Sequence, residues 1–313
     1  MLSRMADSLY WLSRYVERAE NLARILDTAQ RMTGLPSSYA GSTNEWESVI
    51  TTAACTSAFK AEYDEVTRAN VLHFIVGSEA NSSSILSCIA TARNNARSVR
   101  TALTSEMWEI LNDAWNESRT ADVRRMSPSD LSRFLAMVKE MSLRFDGAAN
   151  RTMLRIDHFW FQRLGTYIER ADSMARLLDV KYHVLLPRQE LVGGSLDYFQ
   201  WAALLRSVNA LTSFHWVYRE SLQPWLVADF LILRSEQPRS LISCYKEINE
   251  YLDQISDAYG RQGASQRRVR ATLARLGNAN IEEIFQDGLH EFLEAFIADN
   301  NELGRNISQQ YLS

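Results

Sequence analysis

The chain has 313 residues, enough to bury a substantial hydrophobic core in one or two domains. Its 12 glycines and 5 prolines are few for that length, and the recurring alanine, leucine, glutamate and arginine predict an all-α fold. The net charge of −4 argues against a general nucleic-acid binder, which usually carries a strongly basic surface.

The first quarter of the chain predicts two helices separated by a turn. A first helix is predicted over residues 3–32, and the segment 34–44, rich in Ser, Gly and Pro, ends it. A second helix is predicted to begin near Asn44 and to carry apolar residues as far as Tyr63. The short apolar run at residues 71–79 fits a buried turn of helix in an otherwise helical chain.

Serine residues mark several later helix starts. Ser84 precedes a long helix, and Ser127 followed by Pro128 predicts a capped helix that runs toward Gly147. After an aromatic cluster at residues 158–161 the chain enters a long helix, and Pro187 with Gly193 and Gly194 ends it. Two more amphipathic helices are predicted at the end, over residues 261–277 and 281–311.

A half-chain repeat organises the sequence. Residues 12–27, LSRYVERAENLARILD, return as residues 164–179, LGTYIERADSMARLLD. The offset grows only from 152 residues at this block to 156 between Ser84 and Ser240. Three blocks in the same order predict one domain made of two pseudo-repeats, residues 1–150 and 151–313. The matched positions include Trp46 with Trp201, Phe59 with Phe214, Tyr63 with Tyr218, Phe74 with Phe230 and Cys88 with Cys244.

The repeated helix carries the same charges in both copies. On a helical wheel they lie opposite the apolar face, which by itself predicts a solvated stripe with weak (i, i+4) ion pairs. The duplication favours a constraint on these charges, because the halves differ at most other polar positions. The residues concerned are Glu17, Arg18, Glu20 and Arg24 in the first copy and Glu169, Arg170, Asp172 and Arg176 in the second.

Two constrained roles remain open for these charges. If the halves pack about a pseudo-twofold axis, Glu17 meets Arg170 while Glu169 meets Arg18, and this clasp fixes how the halves dock. Alternatively, the arginines form a cradle for a carboxylate or a phosphate, which suits the planar guanidinium group. We favour the clasp. The candidate residues for either role are Glu17, Arg18, Arg24, Glu169, Arg170 and Arg176.

The sequence offers no recognisable catalytic apparatus. A di-iron site needs Glu-x-x-His pairs, whereas here the pairs are Glu17-x-x-Glu20 and Glu169-x-x-Asp172. The histidines show no metal-ligand spacing, and nucleotide loops and a GxSxG elbow are absent from the sequence. We therefore predict no cofactor, no metal and no catalytic residue. The five histidines are His73, His158, His183, His215 and His290.

The cysteines and the apolar runs bear on location. Cys55, Cys88 and Cys244 lack CxxC spacing, which predicts reduced thiols in a cytoplasmic protein. The N-terminus lacks the basic tip and apolar run of a signal peptide. The longest apolar run, at residues 225–233, is too short for a membrane span and is interrupted by Asp229.

Long stretches of the chain resemble the bacterial alpha-E domain family, whose members are predicted to be all-helical and carry a Glu-Arg motif. They include MLSRMADSLYWLSRYVERAENLARILD, ARNNARSVRTALTSEMWEILN and FLILRSEQPRSLISC. The motif corresponds to Glu17-Arg18 and Glu169-Arg170. One departure is that the first half lacks the Pro-Arg before its repeated serine, so only Arg239 could supply that arginine to a ligand.

The resemblance implies a context rather than an activity. Genes of this family look to be neighbours of, or fused to, circularly permuted ATP-grasp ligases and transglutaminase-like proteins. We therefore expect a non-catalytic accessory or scaffold protein of a peptide- or amide-bond-forming system, with such a ligase as partner. The rivals are an enzyme acting on a peptide or amino-acid derivative between the repeats, and a purely structural homo-oligomer. An open cleft between the charged stripes favours the enzyme, and closed stripes with an apolar patch elsewhere favour the scaffold.

Overall fold

A computed structural model describes residues 3–33, 45–184 and 195–312. These residues form α-helices joined by short turns, and no strand occurs among them, which confirms the all-α prediction. The predicted turns at residues 34–44, at Pro187 and at Gly193-Gly194 lie outside the described residues. In the described part of the chain no helix is long and apolar enough to cross a membrane.

Seven α-helices of the described chain lie before residue 153. A single π-helical turn, His73–Gly77, continues α4 and buries Phe74, so the predicted turn of helix at residues 71–79 is present. The helices are α1 (Ser3–Thr33), α2 (Glu45–Thr52), α3 (Thr56–Glu62), α4 (Arg68–Leu72), α5 (Ile85–Ser98), α6 (Ser105–Ser118) and α7 (Pro128–Thr152).

Eight further helices follow among the described residues. A π-helical turn, Ser308–Leu312, ends the described chain. The helices are α8 (Asp157–Val184), α9 (Ser195–Ser207), α10 (Leu211–Tyr218), α11 (Pro224–Ile232), α12 (Leu241–Tyr259), α13 (Ala264–Asn278), α14 (Ile281–Asp287) and α15 (Leu289–Ile307).

The helix starts follow local side-chain chemistry. Ser84 accepts a hydrogen bond from the backbone N–H three residues on, which confirms it as a helix start, and its repeat partner Ser240 does the same at α12. At α7, Ser127 caps the helix and Pro128 lies in the first turn, as the sequence predicts, and the structure adds a capping box completed by Asp130. These residues satisfy backbone donors that the helix itself leaves free.

Two predicted helices are interrupted. The helix predicted from about Asn44 to Tyr63 is broken between α2 and α3, where Ala54 adopts a left-handed backbone with φ of 53°. The helix predicted over residues 281–311 is broken at Gly288, whose φ is 111°. A left-handed residue cannot continue an α-helix. The apolar period alone therefore overestimated both lengths.

The core surrounds α1 and α8, which pack side by side. Helices α5 and α7 pack on α1, while α12 and α15 pack on α8. In addition, α2 of the first half packs on α8, and α9 of the second half packs on α1. The two halves thus make corresponding contacts, although their origin by duplication stays a prediction of the sequence.

Candidate functional site

Helices α1 and α8 run in the same direction in close contact. The residues that meet differ in number by 151 to 155 along the pair, so the two Glu-Arg motifs lie at the same level. A methyl group on Gly165 would lie 2.1 Å from the carbonyl oxygen of Tyr10, so glycine is required for this approach. The position that matches Gly165 in α1 is also small and buried, namely Ser13.

The contact consists of two groups of ion pairs, each centred on one glutamate, which we call its first and second ends. The first end is centred on Glu169. Arg18 donates from Nε and Nη2 to the two carboxylate oxygens, at 2.6 and 3.0 Å. Arg14 donates from Nε to Oε2 at 2.8 Å. A third donor group, Nη1 of Arg18, bonds to Oγ of Ser83 at 3.1 Å. One carboxylate therefore receives two guanidinium groups, of which one makes the bidentate contact that arginine favours.

The second end is centred on Glu17. Arg170 donates from Nε and Nη2 to the two oxygens of Glu17, both at 2.8 Å. Arg239 donates to Glu17 at 3.1 Å and to Glu20 at 2.8 Å, so it joins two carboxylates. Glu20 also accepts from Nε of Arg24 at 2.7 Å. Together the two ends, which we call the clasp, contain the reciprocal contacts Glu17 with Arg170 and Glu169 with Arg18.

The clasp carboxylates are buried, so the solvated stripe is wrong for them. Glu17 and Glu169 are 3% and 4% exposed. Burial alone would raise the pKa of each carboxyl group, but the facing arginine charges outweigh it and lower both pKa values to about 2. Both groups are therefore fixed anions at neutral pH, suited to holding arginine but poor proton acceptors.

Two clasp contacts were missed from the sequence. Arg14 lies one helical turn before Arg18 on the same face, and this spacing could have identified it as a clasp residue. The matched position in α8 holds Thr166, so the repeat does not show a second arginine there. Ser142 on α7 donates to Glu20 at 2.6 Å, a contact between distant segments that no local pattern indicates.

The remaining predicted charges lie beside the clasp. Arg176 pairs with Asp172 at 2.7 Å on α8, the (i, i+4) contact considered from the sequence. Arg24 pairs with Glu20 in the same way and also donates to the carbonyl oxygen of Ser207 at 3.2 Å. Arg24 is buried, whereas Arg176 remains half-buried. The two matched pairs thus differ in how far the surrounding chain covers them.

A cavity of about 210 Å³ lies at the first end of the clasp, between α1, α8, the α2–α3 turn and the start of α5. We call it the first-half cavity. Its charged lining residues are three arginines and two carboxylates, and Ser83 lies on its wall. The charges sum to +1. The five charged residues are Arg14, Arg18, Arg176, Glu169 and Asp172.

The cysteines and histidines form no second site among the described residues. Cys88 and Cys244 are completely buried, and burial raises the pKa of each thiol to about 12, which suits small core residues. Cys55 lines the first-half cavity, but burial raises its pKa to about 12 as well. No group of three or more His, Cys, Asp or Glu residues in the described ranges is placed to hold a metal.

Comparison with known proteins gives one result. Residues 1–312 match the family model Alpha-E, described as a predicted alpha-helical domain with a conserved ER motif. The clasp contains both copies of the Glu-Arg motif. No curated protein and no solved structure matches the chain.

Proposed function

The chain belongs to the Alpha-E family, and we propose that it is a non-catalytic scaffold or accessory protein of a peptide- or amide-bond-forming system. The proposed partner is a circularly permuted ATP-grasp ligase, and a transglutaminase-like protein is a second partner class. Both partner classes follow from the family resemblance, and a cytoplasmic location follows from the cysteine spacing. The structure contributes the argument against acid-base catalysis at the Glu-Arg motifs.

The observation that carries the proposal is the ion pairing of both clasp glutamates. An enzyme that used Glu17 and Glu169 as acid and base would need carboxyl groups that exchange protons near neutral pH. Each of these carboxylates instead receives two guanidinium groups and has a pKa of about 2. This arrangement favours a structural role, in which the ion pairs fix the position of α1 on α8.

Exposed aromatic residues elsewhere support docking to a partner. Trp216 on α10 is 75% exposed, and Val217 beside it and Trp225 on α11 are also exposed. Tryptophan is enriched among the residues that contribute most to protein interfaces. The α10–α11 segment is therefore the surface that we assign to the ligase.

A pull-down tests this assignment. The tagged chain is recovered from its native host with and without ATP, and bound proteins are identified by mass spectrometry. We expect an ATP-grasp ligase with the native chain and a strong loss of it with Trp216→Ala. Leu154→Ala is the matched control, because Leu154 is equally exposed but lies between α7 and α8. Recovery of the chain alone in both conditions would contradict the scaffold function.

The alternative is an enzyme that acts on a peptide or amino-acid derivative held by the Glu-Arg motifs. The first-half cavity favours it, because it brings Arg14, Arg18 and Glu169 to a space large enough for a small molecule. Amide-bond synthesis or cleavage by the purified chain alone, lost in Glu169→Gln with the fold retained, would establish this function instead.

A further inference from the structure

The two ends of the clasp differ at one matched position. Ser83 and Arg239 each directly precede the serine that caps a helix, α5 in the first half and α12 in the second. At the second end, Arg239 extends into the clasp and contacts Glu17 and Glu20. At the first end, the short side chain of Ser83 leaves the first-half cavity beside Glu169 and Asp172.

We propose that the first-half cavity binds a small monocarboxylate, of the kind found in an amino acid or at the end of a peptide. The site goes beyond the scaffold function and does not depend on it. Its volume of about 210 Å³ greatly exceeds the roughly 10–15 Å³ that one water molecule needs.

The charge of the cavity selects a monoanion. Arg14, Arg18 and Arg176 exceed the two carboxylates by one positive charge. A fourth arginine, in the place that Arg239 takes at the other end, would raise the net charge to +2. A single carboxylate brings the charge to zero, whereas a phosphate dianion reverses it.

Hydrogen-bond donors remain for such a ligand. Arg176 contacts Asp172 through Nε and Nη2, and Nη1 has no partner among the described residues. Ser83 accepts from Arg18 through Oγ, so its own hydroxyl hydrogen is available to a carboxylate. The nearby start of α5 adds the positive end of a 14-residue helix. Guanidinium and hydroxyl donors are a usual combination for carboxylate recognition.

The second end has the same net charge but takes its third cation from a different position. Arg170, Arg24 and Arg239 face Glu17 and Glu20 there, so the net charge is again +1. At this end the third cation is Arg239, whose position in the repeat corresponds to Ser83 in the first half. At the first end the third cation is Arg14, which approaches Glu169 from α1 and leaves the space beside Ser83 empty.

The test is calorimetric titration of the full chain with N-acetylglycine, with N-acetylglycinamide as the uncharged control. We expect N-acetylglycine to bind and the amide to bind at least about tenfold more weakly. Glycine distinguishes the sources: binding of both N-acetylglycine and glycine indicates a free amino acid, and binding of N-acetylglycine alone indicates a peptide end. Equal binding of acid and amide, or no binding at about 10 mM, overturns the proposal.

Matched variants locate the site. Ser83→Arg places a long side chain in the cavity, and Ser82→Arg adds the same residue at the exposed neighbouring position. We expect Ser83→Arg to weaken N-acetylglycine binding at least about tenfold and Ser82→Arg to retain it. Arg176→Gln, which introduces no larger side chain, is expected to weaken binding similarly if Ser83→Arg fails to fold. Undiminished binding in Arg176→Gln, or in a folded Ser83→Arg, overturns the site.

Discussion

The two ends of the clasp make the same contact between α1 and α8 but differ in the residue that lies beside it. At each end an arginine of one long helix makes a bidentate bond to a buried glutamate of the other. Arg239 extends into the second end and contacts Glu17 and Glu20, whereas a cavity lies beside Ser83 at the first. The docking of α1 on α8 uses both ends, whereas space for a ligand exists beside Ser83. The comparison of the two ends therefore separates helix docking from ligand binding, two roles that the sequence suggests for the same Glu-Arg motifs.

Removal of a clasp carboxylate has the largest expected effect. Glu17→Gln leaves Arg170 and Arg239 facing a neutral group, and breaking a buried pair costs about 3–5 kcal/mol of unfolding free energy. Glu169→Gln is expected to cost less, because its partner Arg18 is more exposed than Arg170, at 24% against 13%. Urea denaturation measures both changes.

The pH dependence of the unfolding free energy tests the contribution of the two clasp carboxylates. Both carboxylates have folded pKa values of about 2, below the usual 4.5, so their contribution is complete above pH 4.5 and is lost as the pH falls toward 2. Glu17→Gln is expected to flatten that loss. The control is Glu302→Gln at the surface pair with Arg305, which should change the unfolding free energy only slightly. An equally small effect of Glu17→Gln would contradict the clasp.

The next effect tests the approach of α1 to α8. Gly165→Ala places a methyl group 2.1 Å from the Tyr10 carbonyl oxygen, so the helices must separate. We expect a loss toward the upper end of the about 1–3 kcal/mol typical of overpacked sites. Gly147→Ala in α7 is the matched control, because no atom lies within 4 Å of its added methyl group. Since alanine favours helix, that control should be neutral or stabilising by up to about 1 kcal/mol.

Local patterns in the sequence were sufficient for several helix starts, and the repeated Glu-Arg motif identified the central clasp residues Glu17, Arg18, Glu169 and Arg170. The serine caps, the capping box at Ser127 and the start of α1 depend on neighbouring residues alone. The burial of Glu17 could not be read from a helical wheel, which places polar residues outside by default. Only the repeated Glu-Arg motif suggested a partner for it.

The missing parts depend on contacts between distant segments. Arg14 joins the clasp by contacting Glu169 on α8, and Ser142 joins it by contacting Glu20 on α1. Neither has a residue of its own type at the matched position in the other half of the sequence. The break at Ala54 was missed because alanine usually continues a helix and rarely adopts a positive φ. The first-half cavity could not be predicted from the sequence, because it depends on how the surroundings of Ser83 and Arg239 differ in space.

Opening the second end tests the same comparison with a smaller effect. Arg239→Ser removes the contacts to Glu17 and Glu20 and gives that end the residue found at the first end. We expect a loss of about 2 kcal/mol, in the range of hydrogen bonds to charged groups. Arg234→Ser is the control, because the Arg234 side chain is 45% exposed in its pair with Asp229, and it should cost less than about 1 kcal/mol. Equal costs would mean that Arg239 adds nothing to the clasp.

The smallest effect is expected at the surface pair of His290 on α15 with Asp179 on α8, whose Nδ1 and Oδ1 atoms are 2.6 Å apart. The hydrogen bond to Asp179, and then the charge of that carboxylate, raises the pKa of His290 above 6.5. The pair's contribution is therefore complete below pH 6.5 and is lost as the pH rises through the higher folded value. Solvent screening limits it to less than about 0.5 kcal/mol. Thermal unfolding at pH 6 and pH 9, with His290→Gln as the reference, measures it. This pair loses its contribution as the pH rises and the clasp as the pH falls, so the opposite signs separate the contribution of the histidine from that of the clasp glutamates in one pH series.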